Sequence, residues 1–107
     1  MTECIFCKIR DGSITAKMLY ADDEIMAFYD INPSAPIHLL IVPKKHIANT
    51  LEIDEKDQSL MGHMIVTANK IAKDLGLHEG YKLQINTGKA GGQEVFHLHL
   101  HLLGKKL

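Results

Sequence analysis

Residues 96–103 read Phe96-His97-Leu98-His99-Leu100-His101-Leu102-Leu103, a strict alternation of imidazole and leucine. Strand side chains alternate faces, so a strand here puts His97, His99 and His101 on one side and Leu98, Leu100 and Leu102 on the other. Same-face imidazoles then start about 6.6 Å apart. The leucine face suits burial under a helix, and the histidine face must be exposed or line a cleft. Water-facing strand positions are usually Thr, Lys or Glu, which argues against a merely solvated histidine face. Two chemistries compete. His-x-His on a strand can point two nitrogens at one ion, as in three-histidine zinc hydrolases. Alternatively an imidazole, with an ordinary pKa of about 6.5, supplies a neutral nucleophile at neutral pH.

The segment just before this strand bears on the choice. Gly88-Lys89-Ala90-Gly91-Gly92-Gln93 is an ordinary turn taken alone. Glycine, however, lets backbone N–H groups approach an anion closely, and the pair at Gly91 and Gly92 stands immediately ahead of His97. A phosphate-cradling loop beside imidazoles points to attack on phosphorus. At the other end of the chain, Cys4-Ile5-Phe6-Cys7 has the spacing that lets two thiolates share a tetrahedral zinc. A redox pair would need a preceding strand in a βαβ context, which is missing, and two inert thiols are the plain alternative.

The elements that must position these groups follow from periodicity. Cys4–Arg10 carries Ile5, Phe6 and Ile9 at helical offsets and predicts a short helix with an apolar face on a sheet. Met18–Ala21 and Ile25–Tyr29 predict an antiparallel hairpin across the acidic turn Asp22-Asp23-Glu24. Residues 30–36, with Pro33 and Pro36, form a loop, and His38–Val42 is a buried strand that stops at Pro43. A long helix starts near Asp54, with a capping-box partner at Asp57, and ends at about Leu75 before Gly76. Its core stripe is Leu60, Met61, Met64, Ile65, Ala68, Ile71, Ala72 and Leu75. Tyr81–Asn86 and Phe96–Leu103 complete the order αβββαββ. The predicted fold is α+β: a five-stranded antiparallel sheet with one long and one short helix, both on one face. His63 and His78 are expected in solvent.

The 107 residues suit one domain, 1–107, with one core. Twelve Lys and Arg against 13 Asp and Glu give a formal charge of −1, which argues against a generic nucleic-acid binder. The longest apolar run, Leu39–Pro43, is too short for a membrane span or a signal-peptide core. Two cysteines cannot staple a disulfide framework. A cytoplasmic protein is expected.

Together these segments resemble the histidine-triad family of nucleotide hydrolases and transferases, and are similar to its purine-nucleoside phosphoramidase branch. The resemblance rests on residues 91–103, and on Ile5–Ile9, Ala27–Pro33, Ala35–His38, Val42–His46 and Asn86, in order along nearly the whole chain. It implies that His99 attacks the α-phosphorus of an adenosine phosphoramidate or acyl-adenylate, forming a nucleotidyl-histidine that water hydrolyses to an AMP-like product. His101 would contact the phosphoryl oxygens and protonate the leaving amine, with His38 and His97 in support.

The resemblance also implies phosphate contacts from Asn86 and from Gly92, Gln93, Glu94 and Val95. Asp30 would hold the ribose hydroxyls, and Ile5, Phe6, Ile9, Phe28, Ile31 and Leu40 would form a purine slot. It implies a structural zinc on Cys4, Cys7, His46 and His97, and a homodimer that continues the sheet through the long helix and the strand after it. No cofactor is needed for the chemistry. The branch often has serine where Glu94 stands; a carboxylate turned inward would repel phosphate, so Glu94 is expected to point outward. A longer C-terminal tail found in some relatives is absent. Dinucleoside polyphosphate hydrolysis, which uses the same triad, and a nucleotide- or zinc-binding module with negligible turnover are the alternatives.

Overall fold

The computed structural model describes residues 4–106. Its elements are α1 (Ile5–Arg10), β1 (Met18–Ala21), β2 (Ile25–Tyr29), β3 (Ile37–Pro43), α2 (Gln58–Asp74), β4 (Lys82–Gln84) and β5 (Leu100–Gly104), with short 3-10 turns at Thr50–Glu52, Glu55–Asp57 and Lys89–Gly91. The strands form one antiparallel sheet in the order β1-β2-β3-β5-β4. The expected hairpin is present. Asp22 closes it by accepting the N–H groups of Glu24 and Ile25 at 2.8 and 2.9 Å.

Alternation along the central strands sorts the core into two layers. Ile25, Ala27, Leu39, Ile41, Leu100 and Leu102 face α2 and pack on Met64, Ala68, Ile71 and Ala72. Met26, Phe28, Leu40 and Val42 face the other way and pack on Phe6 of α1. The helices therefore lie on opposite faces of the sheet, a correction to the expectation that both share one. Each face of β2 and β3 is apolar, so neither can be left to water.

The capping box at the start of the long helix is formed: Asp54 accepts the Lys56 N–H, and Asp57 accepts the Asp54 N–H at 3.1 Å. It caps a 3-10 turn, so α2 proper begins at Gln58 rather than near Asp54. At the other end Gly76 takes φ +81°, its N–H bonds Lys73 O and the Leu77 N–H bonds Ala72 O. This pairing stops a helix cleanly where a residue without Cβ adopts the left-handed conformation. The buried stripe of α2 is narrower than predicted. Ile65 is 47% exposed and buried Thr67 belongs to the packed side instead, because Ile65 lies about 100° around the axis from Met64.

The last strand is also shorter than the alternation suggests. Its ladder begins at Leu100, not Phe96, and β4 spans three residues rather than 81–86. Ahead of Leu100 the backbone is held by other bonds: the Leu98 N–H reaches Ile47 O, and the His97 carbonyl is taken by the His99 ring. The two-faced pattern survives outside the ladder, with Leu98, Leu100 and Leu102 all buried. His63 is not free in solvent; its Nε2 lies 2.7 Å from the Asp22 carboxylate, which also accepts from Tyr20 OH. His78 is exposed, as expected. Among the described residues no helix is long and apolar enough to cross a membrane.

Candidate functional site

On the α1 side of the sheet, β2, β3, β5 and the loop 88–95 enclose an open cavity of about 590 Å³. Its wall includes Ile5, Phe6, Ile9, Phe28 and Leu40 at the apolar end, Asp30 and Ile31 on one side, and Asn86, Gly92, Gln93, Glu94 and Val95 on the other. His38, His99 and His101 complete it. The structure thus brings together every sequence-predicted nucleotide-site residue, with differences in role. Ile31 is 85% exposed, so it contributes only the outer edge of that wall. Ser34, Asn32, Tyr29, Gln84 and Leu103 also line the cavity, and the sequence reading omitted them because loop and strand-end residues carry no periodic signal.

The imidazoles are fixed by partners that accept or donate in one sense only. A backbone carbonyl only accepts, so the 2.8 Å contact from His99 Nδ1 to His97 O places the proton on Nδ1 and leaves Nε2 as a lone pair. The 2.7 Å contact from His97 Nε2 to Pro43 O likewise leaves His97 Nδ1 as a lone pair. The Ser34 N–H donates to His38 Nδ1 at 3.0 Å. His38 Nε2 therefore carries the proton, donates it to His101 Nδ1 at 2.9 Å, and leaves the His101 proton on Nε2. Ser34 is a positioning residue that no motif announces.

Burial pushes the His99 pKa down, against the His97 carbonyl bond that raises it. Burial, together with neighbouring His99 and His38, pushes His101 down to about 4. Both rings are neutral at pH 7. Asp30 divides its oxygens: Oδ1 accepts the Asn32 N–H at 2.8 Å as a loop cap, and Oδ2 stands 3.5 Å from His38 Nε2. The carboxylate serves the loop and faces the cavity at once.

The glycine loop is pinned from beneath. The buried Gln93 amide donates to Ala48 O at 2.7 Å and Val95 O at 3.0 Å, and its oxygen accepts from Gly88 N–H at 2.8 Å and Asn49 at 3.2 Å. Asn86 Nδ2 donates to Gly91 O at 2.8 Å. The Gln93 backbone N–H also donates to Gly88 O at 3.1 Å, so Gln93 holds the loop through side chain and main chain alike. Glu94 is exposed where it lines the cavity, in keeping with the expectation that it points outward.

A second constellation lies against the cavity's inner wall. The ligand atoms of Cys4, Cys7, His46 and His97 all fall within 4.8 Å of one another. His97 Nδ1 is 3.1 Å from Cys4 Sγ, 3.6 Å from Cys7 Sγ and 3.1 Å from His46 Nδ1, and Cys7 Sγ is 3.3 Å from His46 Nδ1. Tetrahedral zinc with bonds of about 2.0–2.3 Å requires donor separations of roughly 3.3–3.8 Å. The separations of 3.1–3.6 Å lie at or just below that range, so a shift of a few tenths of an ångström would let the four donors close around such an ion with no open position. Burial and the Cys4 sulfur push the Cys7 thiol pKa up, and burial pushes His97 down to about 4; a cation at the centre would oppose the first shift. The three alternating histidines do not converge on one point, so the three-histidine metal reading of 97, 99 and 101 finds no geometry here.

The HIT domain family model matches residues 11–107. Protein HitA of Neisseria gonorrhoeae is 50% identical over 104 residues, 97% of each chain. A crystal structure of a HIT family hydrolase from Legionella pneumophila superposes with TM-score 0.95 at 47% identity, covering 98% of this chain and 95% of its own. A histidine triad nucleotide-binding protein from Candida albicans gives TM-score 0.88 at 35% identity, covering 98% of this chain and 76% of that one.

Gln93→Ala strands the Gly88 N–H and the carbonyls of Ala48 and Val95. It should lower unfolding free energy by about 2–4 kcal/mol. Exposed Gln84→Ala should stay within about 0.5 kcal/mol. Urea denaturation of both variants checks this, and equal midpoints would refute the pinning role.

Proposed function

Because the chain belongs to the HIT domain family, we propose that it is a hydrolase acting at the α-phosphate of a purine nucleotide derivative, with an adenosine phosphoramidate or acyl-adenylate as substrate. The observation that carries this reading is the tautomer of His99. Its Nε2 lone pair opens on the cavity while Nδ1–H rests on the His97 carbonyl, which stabilises the positive charge that develops on the ring as it attacks phosphorus.

In the first step His99 Nε2 forms a bond to phosphorus as the phosphorus–nitrogen bond breaks in line. An amine leaves poorly without a proton. His101 Nε2–H supplies it, and His101 Nδ1 recovers a proton from His38 Nε2 across their 2.9 Å contact. The pair must enter with one extra proton, which the arriving phosphoryl anion favours. In the second step water attacks the nucleotidyl-histidine, releasing an AMP-like product and restoring His99. The apolar end of the cavity, with Phe6 and Phe28 in edge contact at 5.6 Å, suits a purine, and Asp30 suits the ribose hydroxyls.

We assign zinc to Cys4, Cys7, His46 and His97. When bound it supplies a structural cross-link and no chemistry, since all four positions are filled by protein. His97 then belongs to the structural centre and supports catalysis through its carbonyl. The homodimer is proposed on two features: β4 is an edge strand paired only to β5, and α2 leaves Ile65 and Val66 exposed. A cytoplasmic setting fits two cysteines that form no disulfide.

His99→Ala should lower kcat/KM for adenosine 5′-phosphoramidate by about 1000-fold or more with thermal stability retained, and should abolish a nucleotidyl adduct seen by mass spectrometry in the acid-quenched wild type. Unchanged turnover would sink the proposal. The purified protein should contain one zinc per chain, and chelation should lower Tm before it affects turnover at temperatures where the fold survives; immediate loss of activity in folded, chelated protein would mean that the metal is catalytic. Light scattering should give twice the 12.0 kDa chain mass, and a monomeric mass would remove the dimer.

A further inference from the structure

The cavity wall contains two carboxylates, Asp30 and Glu94, and no Lys or Arg. A site for a phosphorylated ligand built without a fixed cation accepts one phosphoryl charge through N–H donors and meets any second anionic group with repulsion. The two carboxylates are not equivalent. Asp30 is half-buried and already bonded to the Asn32 N–H and near His38. Glu94 is exposed, and among the described residues no cation forms an ion pair with it.

The reaction's stereochemistry assigns Glu94 a place. His99 is 8% exposed on the inner wall. In-line displacement puts the departing group opposite the nucleophile, and opposite a buried nucleophile is the open mouth. Exposed residues lining the cavity include Ile14, Thr15, Ile31, Asn32, Gln84 and Glu94, of which only Glu94 is charged. Resting on the hydrolase reading above, we propose that Glu94 is a specificity-determining residue. Its carboxylate selects nucleoside 5′-phosphoramidates whose leaving amine carries a further positive charge over those whose leaving group is neutral or anionic. Polyphosphate leaving groups fall in the disfavoured class.

The same carboxylate does not defeat phosphate binding, because its exposure leaves water to screen it. Screening also sets the size of the selection, which should be several-fold rather than absolute. It makes the effect sensitive to salt, because the Debye length falls to about 3 Å at 1 M.

The test uses three adenosine 5′-phosphoramidates of similar length, made from 1,4-diaminobutane, pentylamine and 4-aminobutanoate, with kcat/KM measured for the full-length protein at low salt and at 1 M salt. Wild type should prefer the cationic over the neutral substrate by about 3- to 10-fold at low salt, and the neutral over the anionic by a similar factor. In 1 M salt, and in Glu94→Gln at either salt, the three should fall within about 2-fold of one another; Glu94→Lys should invert the order. Ratios are compared within each variant, so a general loss of activity does not obscure them. The same order in Glu94→Gln as in wild type, or no preference in wild type, overturns the inference while His99-dependent turnover of the pentylamine compound keeps the parent reading. Failure to hydrolyse any of the three overturns both.

Discussion

The ring of His99 gives its Nδ1–H to the carbonyl of His97, two residues back, and the ring of His97 gives its Nε2–H to the carbonyl of Pro43. These two bonds sort chemically identical side chains into different tasks. A carbonyl cannot donate, so each bond dictates which nitrogen keeps a lone pair and where that lone pair points. For His99 it points into the cavity; for His97 it points at two sulfurs and a second imidazole. The stretch around them lies outside the sheet ladder, which pairs β5 with β3 only from Leu100 onward.

The cavity's electrostatics follow from this arrangement. An imidazole attacks only when neutral, and burial without a neighbouring carboxylate bonded to its ring keeps His99 in that form. His101 is held neutral for the same reason, yet it stands where an incoming anion restores its affinity for protons. A lysine in the wall would bind phosphate more strongly in the ground state, but uniform binding of substrate and transition state does not speed the chemical step. The loop beside them is held by its own backbone bonds and by Gln93 and Asn86, and it adds no competing proton acceptor bonded to His99.

Much of this was legible in the chain. The His/Leu alternation told which residues share a face, and that survived even where the strand did not. The capping box at Asp54 and Asp57 and the stop at Gly76 were visible because both are local. The opposite placement of α1 and α2 was missed because it depends on β2 and β3 being apolar on both faces, and a continuous apolar run has no phase from which to read a side. Ile65 was misplaced because a helical stripe has soft edges. The His63 to Asp22 contact joins α2 to a distant hairpin, and Ser34 acts through its backbone N–H. Neither leaves a mark in residue type or spacing. The meeting of Cys4 and Cys7 with His46 and His97 came from family resemblance; the spacing of the cysteines alone named only half of the donors.

The metal cluster and the cavity are joined by more than proximity. Cys4 is the N-cap of α1 and accepts the Cys7 N–H, so two of the four donors sit on the first turn of a six-residue helix. A helix this short has little stability of its own. Its one deeply buried ring, Phe6, packs edge-on against both His97 at 5.7 Å and His99 at 5.2 Å, and against Phe28 at 5.6 Å. Ile5 and Ile9 of the same helix line the apolar end of the cavity. A cation held by Cys4, Cys7, His46 and His97 would therefore fix the helix that forms the apolar end of the cavity and, through Phe6, the ring plane of His99. Under the proposed function, loss of that cross-link would act on catalysis by freeing α1, so a centre without an open coordination site would still matter to a reaction next to it.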